Sequence, residues 1–357
     1  MTSYLQFPPR HPTALDLAIT NDNSGIVESL LTHKASVSFF NTHGNYPLHI
    51  AARSASPTII SLLLSHNARM DLLSTGLQLS PLHIAASNYN ASAIYTLLLN
   101  GADVNIAGGH DRKTPLHVAV GQHVDDELFA RRKVETIRAL IDNGADVNAV
   151  DKFDRSILHY AVSIRPLAPS LSPTPFVTNV IPSIVDLLLE HHAEINACAT
   201  AVSGGFVPIR RTAWTPLHEA SFSGEPSVIR TLLARGIKAS IRDGEGRTPL
   251  DAAIDRYFQR VPKETKEQKA WRERQAIEAV QTLIDCGADA TMCRGWKKGA
   301  RDDPGDARVV VRIVGEERRL ANRQGGRFRI GGSSGASSSK VVRSEELSEG
   351  LPKYTEA

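Results

Sequence analysis

Five histidines recur in one setting: Pro47-Leu48-His49, Pro81-Leu82-His83, Pro115-Leu116-His117, Ile157-Leu158-His159 and Pro216-Leu217-His218. Imidazole is a common metal ligand and general base. A metal site, however, needs its ligands to converge on one ion at bonding distance. One histidine per recurring unit does the opposite, spreading them along the molecule. The expected role is a hydrogen bond from each ring to the backbone of the adjacent turn. No nucleophile elbow, P-loop or zinc spacing is present, and Gly325-Gly326 and Gly331-Gly332 lack the strand–helix context of a phosphate cradle. The expectation is therefore a non-enzyme with no catalytic residue, metal or cofactor.

The elements that carry these histidines come from internal repetition. The phrase appears seven times: Thr13-Ala14-Leu15-Asp16-Leu17-Ala18, Tyr46-Pro47-Leu48-His49-Ile50-Ala51, Ser80-Pro81-Leu82-His83-Ile84-Ala85, Thr114-Pro115-Leu116-His117-Val118-Ala119, Ser156-Ile157-Leu158-His159-Tyr160-Ala161, Thr215-Pro216-Leu217-His218-Glu219-Ala220 and Thr248-Pro249-Leu250-Asp251-Ala252-Ala253. A second phrase follows each, an apolar pair and then usually Gly-Ala, as in Leu97-Leu98 before Gly101-Ala102-Asp103-Val104-Asn105. Thr or Ser caps a helix, and Pro suits its first turn, where no amide donor is needed. Leu and Ala on one face let short helices pack closely, and the later Gly supplies the left-handed residue that ends the second helix. One such unit cannot bury its own apolar face, so neighbours must stack on it.

These two phrases, TPLHxAA and LLxxGADVN, resemble the ankyrin repeat, and seven copies span roughly residues 12–291. The resemblance implies an all-α ankyrin-repeat solenoid of paired antiparallel helices with β-hairpin fingers. The expected organisation is a leader (1–12), repeats at about 12–43, 44–77, 78–111, 112–153, 154–212, 213–245 and 246–293, and a basic, Gly/Ser-rich disordered tail (294–357). It also makes Asn105, Asn148 and Asn196, at the finger Asn position, candidates for hydroxylation; the plainer expectation is a side chain bonding its own turn. Asp16 and Asp251 replace His in the outermost copies, as suits capping repeats.

Every insertion lies in the second half. From the phrase Leu to the second residue of the apolar pair is 16 residues in copies one, two, three and six, but 25, 31 and 34 in copies four, five and seven. The extra 9, 15 and 18 residues lie between the paired helices or lengthen them. The finger at 198–213 is about ten residues longer than the others. A groove from repeats four to seven with raised rims, one formed by 121–133, 165–179 and 255–274 and the other by the long finger, is one reading; neutral loop growth is the other, since surface loops tolerate insertion at small cost.

The expected partner-reading residues lie at finger tips and on the open side of the first helices: Tyr46, Tyr89, Arg112, Lys113, Phe153, Arg155, Phe206, Arg210, Arg211, Trp214, Phe222 and Arg247, with Arg53, Gln78, Asn88 and His110 beside them. Aromatic and Arg side chains supply most hot-spot energy at interfaces. The basic pairs Arg112-Lys113 and Arg210-Arg211 point to an acidic or phosphorylated protein segment as partner.

Charge and composition fit that class. The chain has 357 residues, a net charge of +3 and ordinary apolar content of 41%. Residues 294–329 hold 11 Lys/Arg against 5 Asp/Glu, so the basicity belongs to the tail. With no aromatic interleaving beyond Phe328, the tail reads as solvated rather than as a nucleic-acid module. No secretory signal and no apolar run of spanning length occur. Cys198, Cys286 and Cys293 form no disulfide framework, which points to cytosol or nucleus. The leading expectation is a monomeric intracellular adaptor or scaffold. The alternatives are a nuclear transcription coregulator that binds a DNA-binding protein, and a substrate adaptor for a ubiquitin ligase.

Overall fold

The structure, a computed structural model, describes residues 12–54, 56–122, 124, 126–163, 175–200, 213–259 and 265–289. These fall within one unit, Met1–Glu317. They form fourteen helices that alternate between two rows. The inner row is α1 (Ala14–Thr20), α3 (Pro47–Ser54), α5 (Pro81–Ser87), α7 (Pro115–Gly121), α9 (Ile157–Val162), α11 (Pro216–Ser223) and α13 (Pro249–Phe258). The outer row is α2 (Ser24–Thr32), α4 (Pro57–Ser65), α6 (Ala91–Leu99), α8 (Glu127–Asp142), α10 (Pro175–Glu190), α12 (Pro226–Ala234) and α14 (Lys266–Asp285). Each inner helix packs on the outer helix that follows it, and within each row every helix packs on the next.

The repeated phrase explains this packing. Leu48, Leu82, Leu116, Leu158, Leu217 and Leu250 are all buried, as are Ala51, Ala85, Ala119, Ala161, Ala220 and Ala253. Each such Leu contributes roughly 1.5–3 kcal/mol of burial, and the small Ala lets the helix rows approach. Helices of six to ten residues are marginal alone, so this shared core holds them. The turn after the outer helix is left-handed as expected: Gly101, Gly144, Gly236 and Gly287 have φ between 87 and 94°.

Where they are described, the extra residues of copies four, five and seven are mostly helix, with Gln122, Val124, Asp126, Gln259 and Thr265 outside the helices. Outer helices α2, α4, α6 and α12 have 9 residues each, whereas α8 and α10 have 16 and α14 has 20. Two buried basic side chains anchor the extensions of α8 and α14. Lys133 of α8 donates from Nζ to the Val120 carbonyl at 2.8 Å and to the Gln122 carbonyl, at the end of α7. Arg272 of α14 donates from Nη1 to the Arg256 and Tyr257 carbonyls at 2.8 and 2.7 Å, at the end of α13. A helix C-terminus leaves carbonyls unpaired and carries partial negative charge, so a cation is the fitting cap.

The fingers make no strand ladder among the described residues. They carry isolated antiparallel bridges, Gly108 with Lys113, Val150 with Ser156 and Ala199 with Trp214. Neighbouring fingers are tied backbone to backbone: Thr75 N to Gly44 O, Gly109 N to Gln78 O, Lys152 N to Asp111 O and Thr200 N to Phe153 O, all at 2.7–3.1 Å.

Candidate functional site

The histidines are structural, in the way their spacing suggests. Nε2 of His49, His83, His117, His159 and His218 donates to the carbonyl of Leu79, Lys113, Arg155, Trp214 and Arg247, at 2.8, 2.8, 3.3, 2.8 and 3.1 Å. Each partner lies in the next finger. In four of the five, Nδ1 takes up the cap hydroxyl, Ser80, Thr114, Ser156 or Thr215, at 2.7–2.9 Å. His49 follows Tyr46 instead, and its buried Nδ1 has no hydrogen-bond partner. Burial lowers His49, His83, His117 and His218 to about 4, so these rings are neutral donors near pH 7. In α1 and α13, Asp16 and Asp251 close the same capping box with a carboxylate, accepting from the backbone N of Thr13 and Thr248.

The finger asparagines depart from the expected turn-internal bonding. Asn105 donates to Gly144 O and accepts from Asp146 N; Asn148 donates to His192 O and accepts from Glu194 N. Each amide therefore bridges to the next repeat, because stacking brings that turn within reach of a side chain one repeat earlier.

The expected partner-reading residues separate into four groups. Tyr89, Trp214 and Phe222 are corrected: they are 7%, 0% and 5% exposed and belong to the interior. Trp214 donates from Nε1 to Glu219 at 2.8 Å and clusters with Phe222, Ala199 and Ala252. Arg155 and Arg247 are held inward: Arg155 pairs with Asp151 at 2.6 Å and Arg247 with Asp243 at 2.9 Å, in matching i,i+4 clamps. Each aspartate also accepts two backbone N–H groups of its finger, so these arginines brace the turn. Arg112 is exposed, and Tyr46, Lys113 and Phe153 are half-buried on the finger edge. Phe206, Arg210 and Arg211 lie outside the described residues.

The open positions gather on one stretch. On the inner row, Leu17, Arg53, Asn88 and Gln122 are exposed, whereas no residue of α9, α11 or α13 is. The tips of the third and fourth fingers carry further exposed side chains, Arg112 and Lys152. There Asp111 receives Lys152 Nζ at 2.6 Å and Lys113 Nζ at 3.4 Å. Lys152 Nζ lies 4.8 Å from the Phe153 ring centroid and Lys113 Nζ 5.2 Å from that of Tyr160. Sequence reasoning passed over Asp111, Asp151, Lys152 and Tyr160. The recurring Asp-x-x-x-Arg of 151–155 and 243–247 was the available signal for the clamps; nothing in the sequence shows that Lys152 and Lys113 meet at one carboxylate.

The chain matches the family model for ankyrin repeats in three copies over residues 4–75 and 82–167, and the single ankyrin-repeat model over 213–244, together more than half its length. The chain belongs to the ankyrin-repeat family. It is 31% identical over 124 residues to cyclin-dependent kinase 4 inhibitor B of Rattus norvegicus, covering 35% of this chain and 75% of that protein. It is 39% identical over 72 residues to the nuclear factor NF-kappa-B p105 subunit of Gallus gallus, covering 20% and 7%. Among solved structures, the ankyrin repeat domain of Bcl-3, described as a unique member of the IkappaB protein family, aligns with TM-score 0.51 at 26% identity over 68% of this chain and 94% of that one. The human ASB11 ankyrin repeat domain aligns with TM-score 0.53 at 19% identity, over 78% and 99%, a likeness of fold. Ankyrin repeats mediate protein–protein interaction. Among the described residues no helix is long and apolar enough to cross a membrane, and no group of three His, Cys, Asp or Glu could hold a metal ion.

Proposed function

We propose that this ankyrin-repeat chain is a non-catalytic adaptor or scaffold that binds an acidic protein segment along its inner row and finger edge. One observation carries the reading. Every repeated polar residue of the phrase is used up inside the stack, while Arg53, Asn88 and Gln122 on the inner row and Arg112 and Lys152 at the finger tips stay exposed. A groove across repeats four to seven follows from the insertions; the exposed positions favour its N-terminal end and the inner row preceding it. The proposed boundaries are a stack over about 12–293 and a basic tail from 294, acting in cytosol or nucleus. The test is affinity purification with mass spectrometry, using the full chain and an Arg53→Glu/Asn88→Glu variant, against an outer-row control, Glu28→Lys, on exposed α2 surface. Loss of partners only in the first variant supports the reading; loss only in the control sinks it.

A nuclear coregulator is a second reading, suggested by the likeness over 72 residues to the nuclear factor NF-kappa-B p105 subunit. Nuclear entry that depends on residues 295–357 would support it, and cytoplasmic retention indifferent to their deletion would count against it.

A further inference from the structure

We infer that residues 307–314 of this chain dock across the outward side of the third, fourth and fifth fingers. This side is separate from the inner row on which the protein-binding reading rests, so either statement can fail alone.

One register builds the surface. Where the two arms of a finger first bond, a buried residue donates its N–H across: Ser74 to Leu79 O, Gly108 to Lys113 O, Asp151 to Arg155 O, Ala199 to Trp214 O and Asp243 to Arg247 O, all at 2.8–3.1 Å. Asp151 turns its carboxylate onto Arg155 and Tyr160, toward the inner row. In extended backbone the preceding side chain points the opposite way. Those preceding residues are Leu73, Ala107, Val150, Cys198 and Arg242, and all are exposed, Leu73 by 37% and Val150 by 50%. Four consecutive fingers thus hold an apolar side chain in one outward row, and Arg242 ends it.

Charge marks the same stretch. Four residues before Ala107, Val150 and Cys198 stand Asp103, Asp146 and Glu194, all exposed and in no ion pair among the described residues. The matching positions on either side are basic, Arg69 and Lys238. An apolar row edged by acids fits a short apolar segment that carries positive charge. Ala307-Arg308-Val309-Val310-Val311-Arg312-Ile313-Val314 has that composition, with two Arg and no acid, and is the most apolar stretch after Asp289.

Length fits as well. Each finger has two arms about 4.8 Å apart, so successive fingers step by about 10 Å. Six extended residues, 309–314, cover about 20 Å, the span of the row from Cys198 through Val150 to Ala107. Asp289 opens the seventh finger, two steps from the fifth, and the intervening residues 290–306 can bridge up to about 60 Å. Extended, Val309, Val311 and Ile313 share one side for the row, and the long Arg308 and Arg312 side chains can bend round to the acids.

Cys198 lies in the row and Cys286 outside it, and both are exposed, so the purified full chain carries its own probes. The measurement is the rate at which iodoacetamide alkylates each thiol, read by mass spectrometry at several protein concentrations. Val309→Asp/Val311→Asp/Ile313→Asp should raise the Cys198 rate about tenfold, as when a roughly nine-tenths closed state opens, and leave Cys286 unchanged. Arg308→Glu/Arg312→Glu should raise it by a smaller factor that disappears at high salt. Both variants lie outside the repeats, so the fold of the stack is not at stake. An unchanged Cys198 rate in the first variant overturns the docking, and one unchanged in the second overturns the pairing with the acids. An equal rise at Cys286 means that the segment only steadies the last repeats, and overturns the docking too. Protection of Cys198 that grows with protein concentration gives this surface to a second copy of the chain and overturns the assignment to residues 307–314 of the same chain.

Discussion

The two halves of the stack share one repeat phrase and solve different problems with it. In the first three repeats the outer helices have nine residues, and their sequence spacing is constant. In repeats four, five and seven the outer helix runs to 16, 16 and 20 residues, so its first turns extend beyond the length of a regular copy. Repeats four and seven meet this with the same device, a buried basic side chain from the outer helix donating to the last carbonyls of the inner one. Lys133 and Arg272 stand in different local sequences and are 1% and 3% exposed. The lesson is that in repeats four and seven the longer outer helix is fixed to the core through its neighbour's C-terminus.

What the halves have in common yields the largest expected effect. Burial lowers four of the finger-bonding histidines from the ordinary 6.5 to about 4, and lowers His159 as well. The unfolded chain therefore takes up protons at these rings below about pH 6.5 while the folded chain resists until about pH 4. Stability is lost as pH falls through that window, at a cost on the order of a few kcal/mol for each ring. Amide exchange followed by mass spectrometry from pH 7 to 4.5, corrected for intrinsic rates, should show loosening in both halves. A response confined to the second half would break the claim of a shared coupling.

Next in size, Arg272→Ala should destabilise the last pair by about 3 kcal/mol, because it takes a buried donor from two carbonyls, with Arg256 O left only its bond from Gln259 N at 3.4 Å, and empties the space beside them. Lys133→Met should cost about 1 kcal/mol, since burial already pushes this amine down to about 7 and the thioether chain refills its volume. The sign with pH also differs. Between about pH 7 and its ordinary value near 10.5, the unfolded chain holds the Lys133 proton and the folded chain has released it. Wild-type stability should then rise with pH relative to Lys133→Met. Urea denaturation at pH 7 and 9 checks both statements, and a variant cost that shrinks at pH 9 would refute the assigned role.

The smallest effect tests the one irregular cap. Tyr46 stands where Ser or Thr caps the other rings, and His49 Nδ1 is left without a hydrogen-bond partner. Tyr46→Thr should supply that hydroxyl and raise stability by about 0.5 kcal/mol, as a shift in thermal midpoint. A loss would mean that the stacking of Tyr46 on Phe40, with centroids 5.8 Å apart, outweighs the missing bond.

Much of the stack was legible in the sequence because local rules set it. The cap hydroxyl, the proline at the first turn, the buried Leu and Ala, and the left-handed Gly each act within a few residues, and they recur in register. The same spacing correctly kept the histidines apart and gave them to the next finger. Exposure was decided by packing between distant segments. Trp214 reads as a finger-tip aromatic and is sealed against Glu219, Phe222 and Ala252; Arg155 reads as a free cation and is clamped on Asp151. Asn105 and Asn148 reach the next turn rather than their own, because only stacking brings that turn close. Lys133 and Arg272 stand among other charged residues in the sequence, yet each is buried because its target carbonyls end a helix that packs across from it. Periodicity fixes which residues face the core, but it carries no information on which charged side chains two neighbouring repeats will bring to the same place. The meeting of Lys113 and Lys152 at Asp111 is such a case, and only the tertiary structure decided it.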